Sequence, residues 1–99
     1  MKIALLGYGR MGKEIEKIAL QRDHEIVLKT RSKDEYDITI ADVAIDFSVP
    51  TSAVSNISNC LKNKIPVISG TTGWLEKYNE ITDLCTQEKG AFIYASNFS

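Results

Sequence analysis

The stretch Ile3-Ala4-Leu5-Leu6-Gly7-Tyr8-Gly9-Arg10-Met11-Gly12 decides how the rest of the chain is read. Its first four residues are continuously apolar, as expected of a strand covered on both faces. Three glycines in G-x-G-x-x-G spacing follow. Then the period changes. Over residues 10–22, Met11, Ile15, Ile18 and Ala19 share one helical face, while Lys13, Glu14, Glu16 and Lys17 point outward. A glycine pattern alone says little. Between an apolar strand and the head of an amphipathic helix it has physical content. Gly7 permits a tight turn, Gly9 lets a pyrophosphate reach the backbone with no Cβ in the way, and Gly12 lets the helix pack closely on the strand. The helix start offers N–H groups and the positive end of its dipole to phosphate. Arg10 adds charge at the mouth. The plainer alternative is a simple strand-to-helix turn with Arg10 in solvent.

Outward from this stretch, short apolar runs alternate with helical stripes. Ile26-Val27-Leu28 reads as a second strand and Val43-Ala44-Ile45-Asp46-Phe47 as a third. Ala53, Val54, Ile57, Cys60 and Leu61 form a helical stripe whose first turn suits Pro50, because the missing N–H has no partner to lose there. Pro66-Val67-Ile68-Ser69 is a strand with proline at its entrance. Trp74, Tyr78, Ile81 and Cys85 make a third stripe, capped by Thr72 or Gly73, with Glu76 near the positive helix end. Gly90 is expected to stop that helix before the last strand, Ala91-Phe92-Ile93-Tyr94-Ala95. Residues 32–42 are polar at first, then Tyr36-Asp37-Ile38-Thr39-Ile40; they hold a vestigial strand or only a loop. This alternation predicts an α/β fold, a Rossmann-like, doubly wound parallel sheet of about five strands with helices on both faces. Ligands of such sheets bind beyond the carboxyl ends of the strands, where the winding reverses. Glycine and polar residues do gather after the strands, at residues 7–12, 30–33, 48–50, 69–73 and 96–99.

Composition narrows the classes. A chain of 99 residues is one domain, small for a whole enzyme. Twelve Lys and Arg against thirteen Asp and Glu give a net charge of −1, which argues against a general nucleic-acid binder. The apolar runs are too short to cross a bilayer, and glycines interrupt the start before a signal peptide can develop. The two cysteines, Cys60 and Cys85, and the lone His24 lack metal-site spacing. They read as reduced thiols of a cytoplasmic protein and a solvated imidazole.

Two further clusters carry chemistry. At the end of the second strand, Lys29-Thr30-Arg31-Ser32-Lys33 lacks the acidic residue that binds a ribose 2′-hydroxyl in NAD-selective sites. Arg31 and Lys33, with hydroxyl help from Thr30 or Ser32, suit a 2′-phosphate instead, which makes NADPH at least as good a ligand as NADH. An exposed basic turn is the bland alternative. After the fourth strand, Gly70-Thr71-Thr72-Gly73 offers backbone and hydroxyls to a ribose or a nicotinamide amide, or is merely a capped loop. Asp46 is read as an acceptor for backbone N–H groups of nearby loops.

Together these residues resemble the N-terminal domain of the 4-hydroxy-tetrahydrodipicolinate reductase (dihydrodipicolinate reductase) family of lysine and diaminopimelate biosynthesis. Four motifs match in order: Gly7-Tyr8-Gly9-Arg10-Met11-Gly12, Ile45-Asp46-Phe47-Ser48 with Pro50, Gly70-Thr71-Thr72-Gly73, and Ala95-Ser96-Asn97-Phe98-Ser99. The resemblance covers essentially the whole chain and implies an oxidoreductase using NADH or NADPH. It implies that Gly7, Tyr8, Gly9, Arg10 and Met11 form the pyrophosphate loop, with Gly12 also among the cofactor-binding residues. It places Thr30 and Arg31 at the adenosine ribose and Phe47 and Ser48 in the cofactor wall. Gly70, Thr71 and Thr72 fall on the nicotinamide side, and Ser96, Asn97 and Phe98 at the junction to a second domain.

The chain departs from that pattern. Its glycine loop is one residue shorter than in members with an extra glycine, and its 32–42 connection is reduced. The family's substrate domain, with His-His-x-x-Lys and Gly-Thr elements, is expected to be absent. Residues 1–99 would then be the cofactor half alone, binding cofactor without turnover. The dicarboxylate substrate would bind through the second domain, through which full-length members form homo-oligomers. Two other readings are a nucleotide-sensing regulatory module without catalysis, and another two-domain dehydrogenase acting on a small carbonyl or imine. The regulatory module accounts for residues 7–12 equally well but gives no reason for residues 70–73 and 97–99 together.

Overall fold

In the computed structural model, which describes residues 1–31 and 35–95, the strands are β1 (Lys2–Leu6), β2 (Glu25–Thr30), β3 (Val43–Asp46), β4 (Val67–Ser69) and β5 (Phe92–Tyr94). The helices are α1 (Arg10–Gln21), α2 (Pro50–Lys62) and α3 (Tyr78–Glu88). The strands pair in the order β2-β1-β3-β4-β5, every pair parallel. This is the expected Rossmann-like sheet, and its winding reverses between β1 and β3.

Period-two alternation divides the core. Ile3 and Leu5 face α1, where they pack with Ala19, Ile15 and Ile26. Ala4 and Leu6 face the opposite side, in the larger cluster with Ala44, Ile57, Leu61, Trp74 and Ile81. Burial of these side chains supplies most of the driving force, at about 1.5–3 kcal/mol for each large aliphatic side chain. The register puts Leu5, Ile45, Ile68 and Ile93 in one row across the sheet. Leu5, beneath α1, is 1% exposed, whereas Ile93, at the far edge, is 60% exposed.

Several local expectations are corrected. Ile18 is largely exposed, because Gly12, Ile15 and Ala19 occupy the centre of the α1 stripe and Ile18 falls on its flank. Trp74 is buried but lies ahead of α3, which follows a 3-10 turn at Leu75–Lys77. The residue that caps α3 is Lys77, with no side-chain cap, so neither Thr72 nor Gly73 has that role. Gly73 instead makes the turn after β4 at φ +86°, where a Cβ would come within 2.9 Å of Pro50 Cγ. The residue that ends α3 in a left-handed conformation is Lys89 (φ 54°), not Gly90. Gly90 supplies clearance, since a Cβ there would approach Leu61 Cδ2 to 2.8 Å. Among the described residues of the 32–42 connection, the regular element is a 3-10 turn, Ile38–Ile40, with Asp37 capping it and Ile38 buried in the core.

Candidate functional site

The cleft at the carboxyl ends of β1 and β3 lies where the winding reverses. Gly7, Tyr8, Gly9, Arg31, Phe47, Ser48 and Val49 line about 380 Å³ there. Six of these were singled out from the sequence; Val49 was not. Strand pairing sets them side by side. Gly7 N–H donates to Thr30 O at 3.1 Å and Phe47 N–H to Leu6 O at 2.9 Å, so the β2, β1 and β3 tips meet at one place.

The glycines divide the work. Gly7 has φ +95°, and a Cβ on it would run into the Phe47 carbonyl; only glycine lets the two strand tips approach this closely. Gly9 caps α1, and a Cβ there would have nothing within 4 Å. The open space over a helix start, with no side-chain cap and no acidic residue in the first turn, leaves the N-terminus available to an anion. Gly12 sits under the bend: a Cβ would lie 2.9 Å from Gly7 O, so its contact is with the loop rather than with the strand. Arg10 is exposed and Met11 half-buried beside it.

Tyr8 is tied down by neighbours that the sequence did not reveal. Its hydroxyl donates to the Glu16 carboxylate one helical stretch later, and Lys29 Nζ pairs with the same carboxylate at 3.1 Å. Lys29 Nζ also lies 5.0 Å from the Tyr8 ring centre. Hydrogen bonding from Tyr8, then from Lys29, holds the Glu16 carboxyl below the usual range. The Glu16 carboxylate in turn raises both the Tyr8 phenol and the Lys29 ammonium. Glu16, expected only to point outward from the helical stripe, is a fixed partner of Tyr8 and Lys29. Nothing in a hydropathy pattern marks such a contact across eight positions.

Asp46 organises the other wall. It is fully buried, and its acceptors are met by side chains rather than by the backbone N–H groups expected. Oδ1 accepts from Ser48 Oγ (2.7 Å) and Asn56 Nδ2 (3.1 Å). Oδ2 accepts from Ser69 Oγ and Thr71 Oγ1, each at 2.8 Å. Thr71 Oγ1 also accepts from Ser48 N–H at 2.9 Å. Asn56 was overlooked, although a polar residue bordering the buried α2 stripe is the one signal that could have found it.

The remaining sequence-singled residues are placed as follows. Thr30 is buried, with its hydroxyl turned toward Gly7 N (3.4 Å), so it serves the bend from beneath. Gly70 lies against Phe47, whose ring leaves no room for a Cβ. Thr71 is buried with its hydroxyl satisfied internally, which leaves exposed Thr72 as the hydroxyl of that loop on the surface. Ser32, Lys33, Ser96, Asn97 and Phe98 lie outside the described residues. His24 is half-buried, not solvated; its Nδ1 has no partner among the described residues. Cys60 and Cys85 are free thiols, and burial pushes Cys60 up to about 12. No group of metal-ligating side chains occurs among the described residues, and no described helix is long and apolar enough to cross a membrane.

Comparison with known proteins places this geometry. Among solved structures, a putative homoserine dehydrogenase from Archaeoglobus fulgidus superposes with a TM-score of 0.77 at 16% identity, over 95% of this chain and 42% of that one. A hyperthermophilic archaeal homoserine dehydrogenase in complex with NADPH gives 0.76 at 12% identity, over 96% and 43%. These share the fold. By sequence, 4-hydroxy-tetrahydrodipicolinate reductase of Christiangramia forsetii is 57% identical over 103 aligned residues, covering 100% of this chain and 43% of the relative. That of Corynebacterium diphtheriae is 31% identical over 106 aligned residues, with the same coverage, 100% and 43%. The chain thus spans under half the length of these oxidoreductase relatives. Residues 1–98 match the family described as dihydrodipicolinate reductase, N-terminus, and with the glycine bend, the Asp46 wall and the Gly70–Thr72 turn all carried in order, the chain belongs to that family.

Proposed function

We propose that this chain is the nicotinamide-cofactor half of a reductase that delivers hydride to 4-hydroxy-tetrahydrodipicolinate, with NADPH or NADH as donor. The observation that carries the reading is the open, uncapped start of α1 over Gly9, set in the cleft where the winding reverses. That space fits a diphosphate: the adjoining N–H groups and Arg10 favour negative charge, and no Cβ intrudes. Gly7, Tyr8, Gly9, Arg10, Met11 and Gly12 would hold the pyrophosphate. Arg31 would meet the adenosine ribose, together with Thr30 from beneath. Phe47 and Ser48 would form the wall, and Gly70, Thr71 and Thr72, with Ser96, Asn97 and Phe98, the nicotinamide end. The bound cofactor supplies the hydride, and this chain supplies binding and orientation.

Substrate recognition and the proton-donating acid belong, in this reading, to a second domain beyond residue 99. The substrate is a small dicarboxylate, and the assembled protein is a cytoplasmic homo-oligomer. The family relationship and the 43% coverage of its relatives support the two-domain reading.

Titration of NADPH and NADH against wild type and Arg31→Ala tests it. Arg31 lines the cleft from the end of β2, where a guanidinium can pair with a 2′-phosphate. The expected outcome is NADPH binding weakened about tenfold, equivalent to about 1.4 kcal/mol, with NADH changed less than about twofold. Equal weakening of both would remove the 2′-phosphate role. Failure of wild type to bind either cofactor would overturn the proposed function.

A further inference from the structure

The cofactor cleft is made of loops that follow different strands, and such loops need something to fix their spacing. We propose that Asp46 is the positioning residue that locks the loop after β3 to the loop after β4, acting through the Thr71 hydroxyl. The inference rests on the cofactor reading above and goes beyond it, because Asp46 itself does not line the cleft.

Burying a carboxyl group is costly unless its acceptors are filled. Here the whole side chain is buried and both oxygens are filled by directional donors. Each oxygen binds a different set of elements. Oδ1 holds Ser48, in the loop after β3, and Asn56, on α2. Oδ2 holds Ser69 and Thr71, at and after the end of β4. The two sets are then cross-linked, because Thr71 Oγ1 accepts from Ser48 N–H at 2.9 Å while donating to Asp46. The far side of Thr71 is pinned as well, since Trp74 Nε1 donates to its carbonyl at 2.6 Å. An apolar residue at position 46 would fill the volume without setting the spacing of Ser48 and Thr71. A network with every member satisfied specifies one arrangement.

The test uses the full-length protein and two ligands. NADPH reaches both ends of the cleft, whereas adenosine 2′,5′-bisphosphate reaches only the glycine bend and Arg31. Asp46→Asn keeps the shape but turns one acceptor oxygen into an NH2 donor facing other donors. The expected result is an NADPH dissociation constant raised about tenfold, with that of the bisphosphate changed less than about twofold. A second pair guards against failure of Asp46→Asn to fold. Thr71→Val removes the hydroxyl at constant size and should show the same ligand split, and Thr71→Ser, which keeps it, should restore NADPH binding to within about twofold of wild type. The inference is overturned if Asp46→Asn and Thr71→Val bind NADPH as wild type does. It is equally overturned if both ligands weaken in parallel, or if Thr71→Ser behaves like Thr71→Val. Wild type that binds neither ligand would instead overturn the cofactor reading, and this inference with it.

Discussion

Two glycines of the bend differ in what they do for the protein. Gly7 is a requirement of folding: its φ of +95° and the Phe47 carbonyl against it exclude any side chain. Gly9 meets no such demand from the fold, for its surroundings are open to 4 Å; in the proposed function the demand there comes from the ligand. Gly7→Ala should therefore destabilise the fold by at least about 1–3 kcal/mol, read as a lower denaturation midpoint. Gly9→Ala should change stability by no more than about 1 kcal/mol yet weaken NADPH at least tenfold, read by titration of the folded variant. The tight turn at Gly7 was legible from spacing and context alone. Gly12 was half-legible: clearance was foreseen, but the contact is the Gly7 carbonyl. Asp46 was misread in its partners because a carboxyl in an apolar run shows only that it needs donors, not which loops bring them.

Between elements, the ties of Tyr8, Glu16 and Lys29 join the bend, α1 and β2. They should make local stability depend on pH at both ends of the range. The Glu16 carboxyl is held below its ordinary value, so its contribution is present above the ordinary glutamate range and disappears as pH falls through the lowered value. Lys29 is raised, so its contribution is present below the ordinary lysine range and lost as pH rises through the raised value. Glu16→Gln should flatten the acid side of a stability-against-pH curve that wild type shows, measured by thermal melts across the acid range. An acid limb of unchanged slope in the variant would place the dependence elsewhere. Strands and helices were readable because apolar periodicity reports burial directly. Their ends were less so: α3 begins late because Trp74 is drawn under the turn after β4, where its indole finds the Thr71 carbonyl. That is a tertiary preference which no local pattern encodes.

At the scale of the whole molecule, the doubly wound order follows from strand–helix alternation and right-handed crossovers. The position of the cleft between β1 and β3 then follows from the order. What the pattern could not foretell is how the three helices close. Each is followed by, or capped with, a non-glycine residue in the left-handed region: Asp23 (φ 62°) after α1, Lys64 (φ 62°) after α2 and Lys89 (φ 54°) at the end of α3. Each closure returns an N–H to a carbonyl five residues back, from His24, Ile65 and Gly90 to Ala19, Cys60 and Cys85, all at 2.9 Å. In a parallel α/β sheet these closures fall at the amino ends of the strands, the pole away from the cleft of Gly7, Arg31 and Phe47. Unused thermal tolerance is therefore stored where chemistry will not notice its release. Asp23→Gly and Lys89→Gly should each raise stability by about 0.5–1 kcal/mol, seen as a higher melting temperature with NADPH affinity unaltered. Lys64→Gly should gain less, because it also discards an exposed ion pair with Glu88 at 3.5 Å.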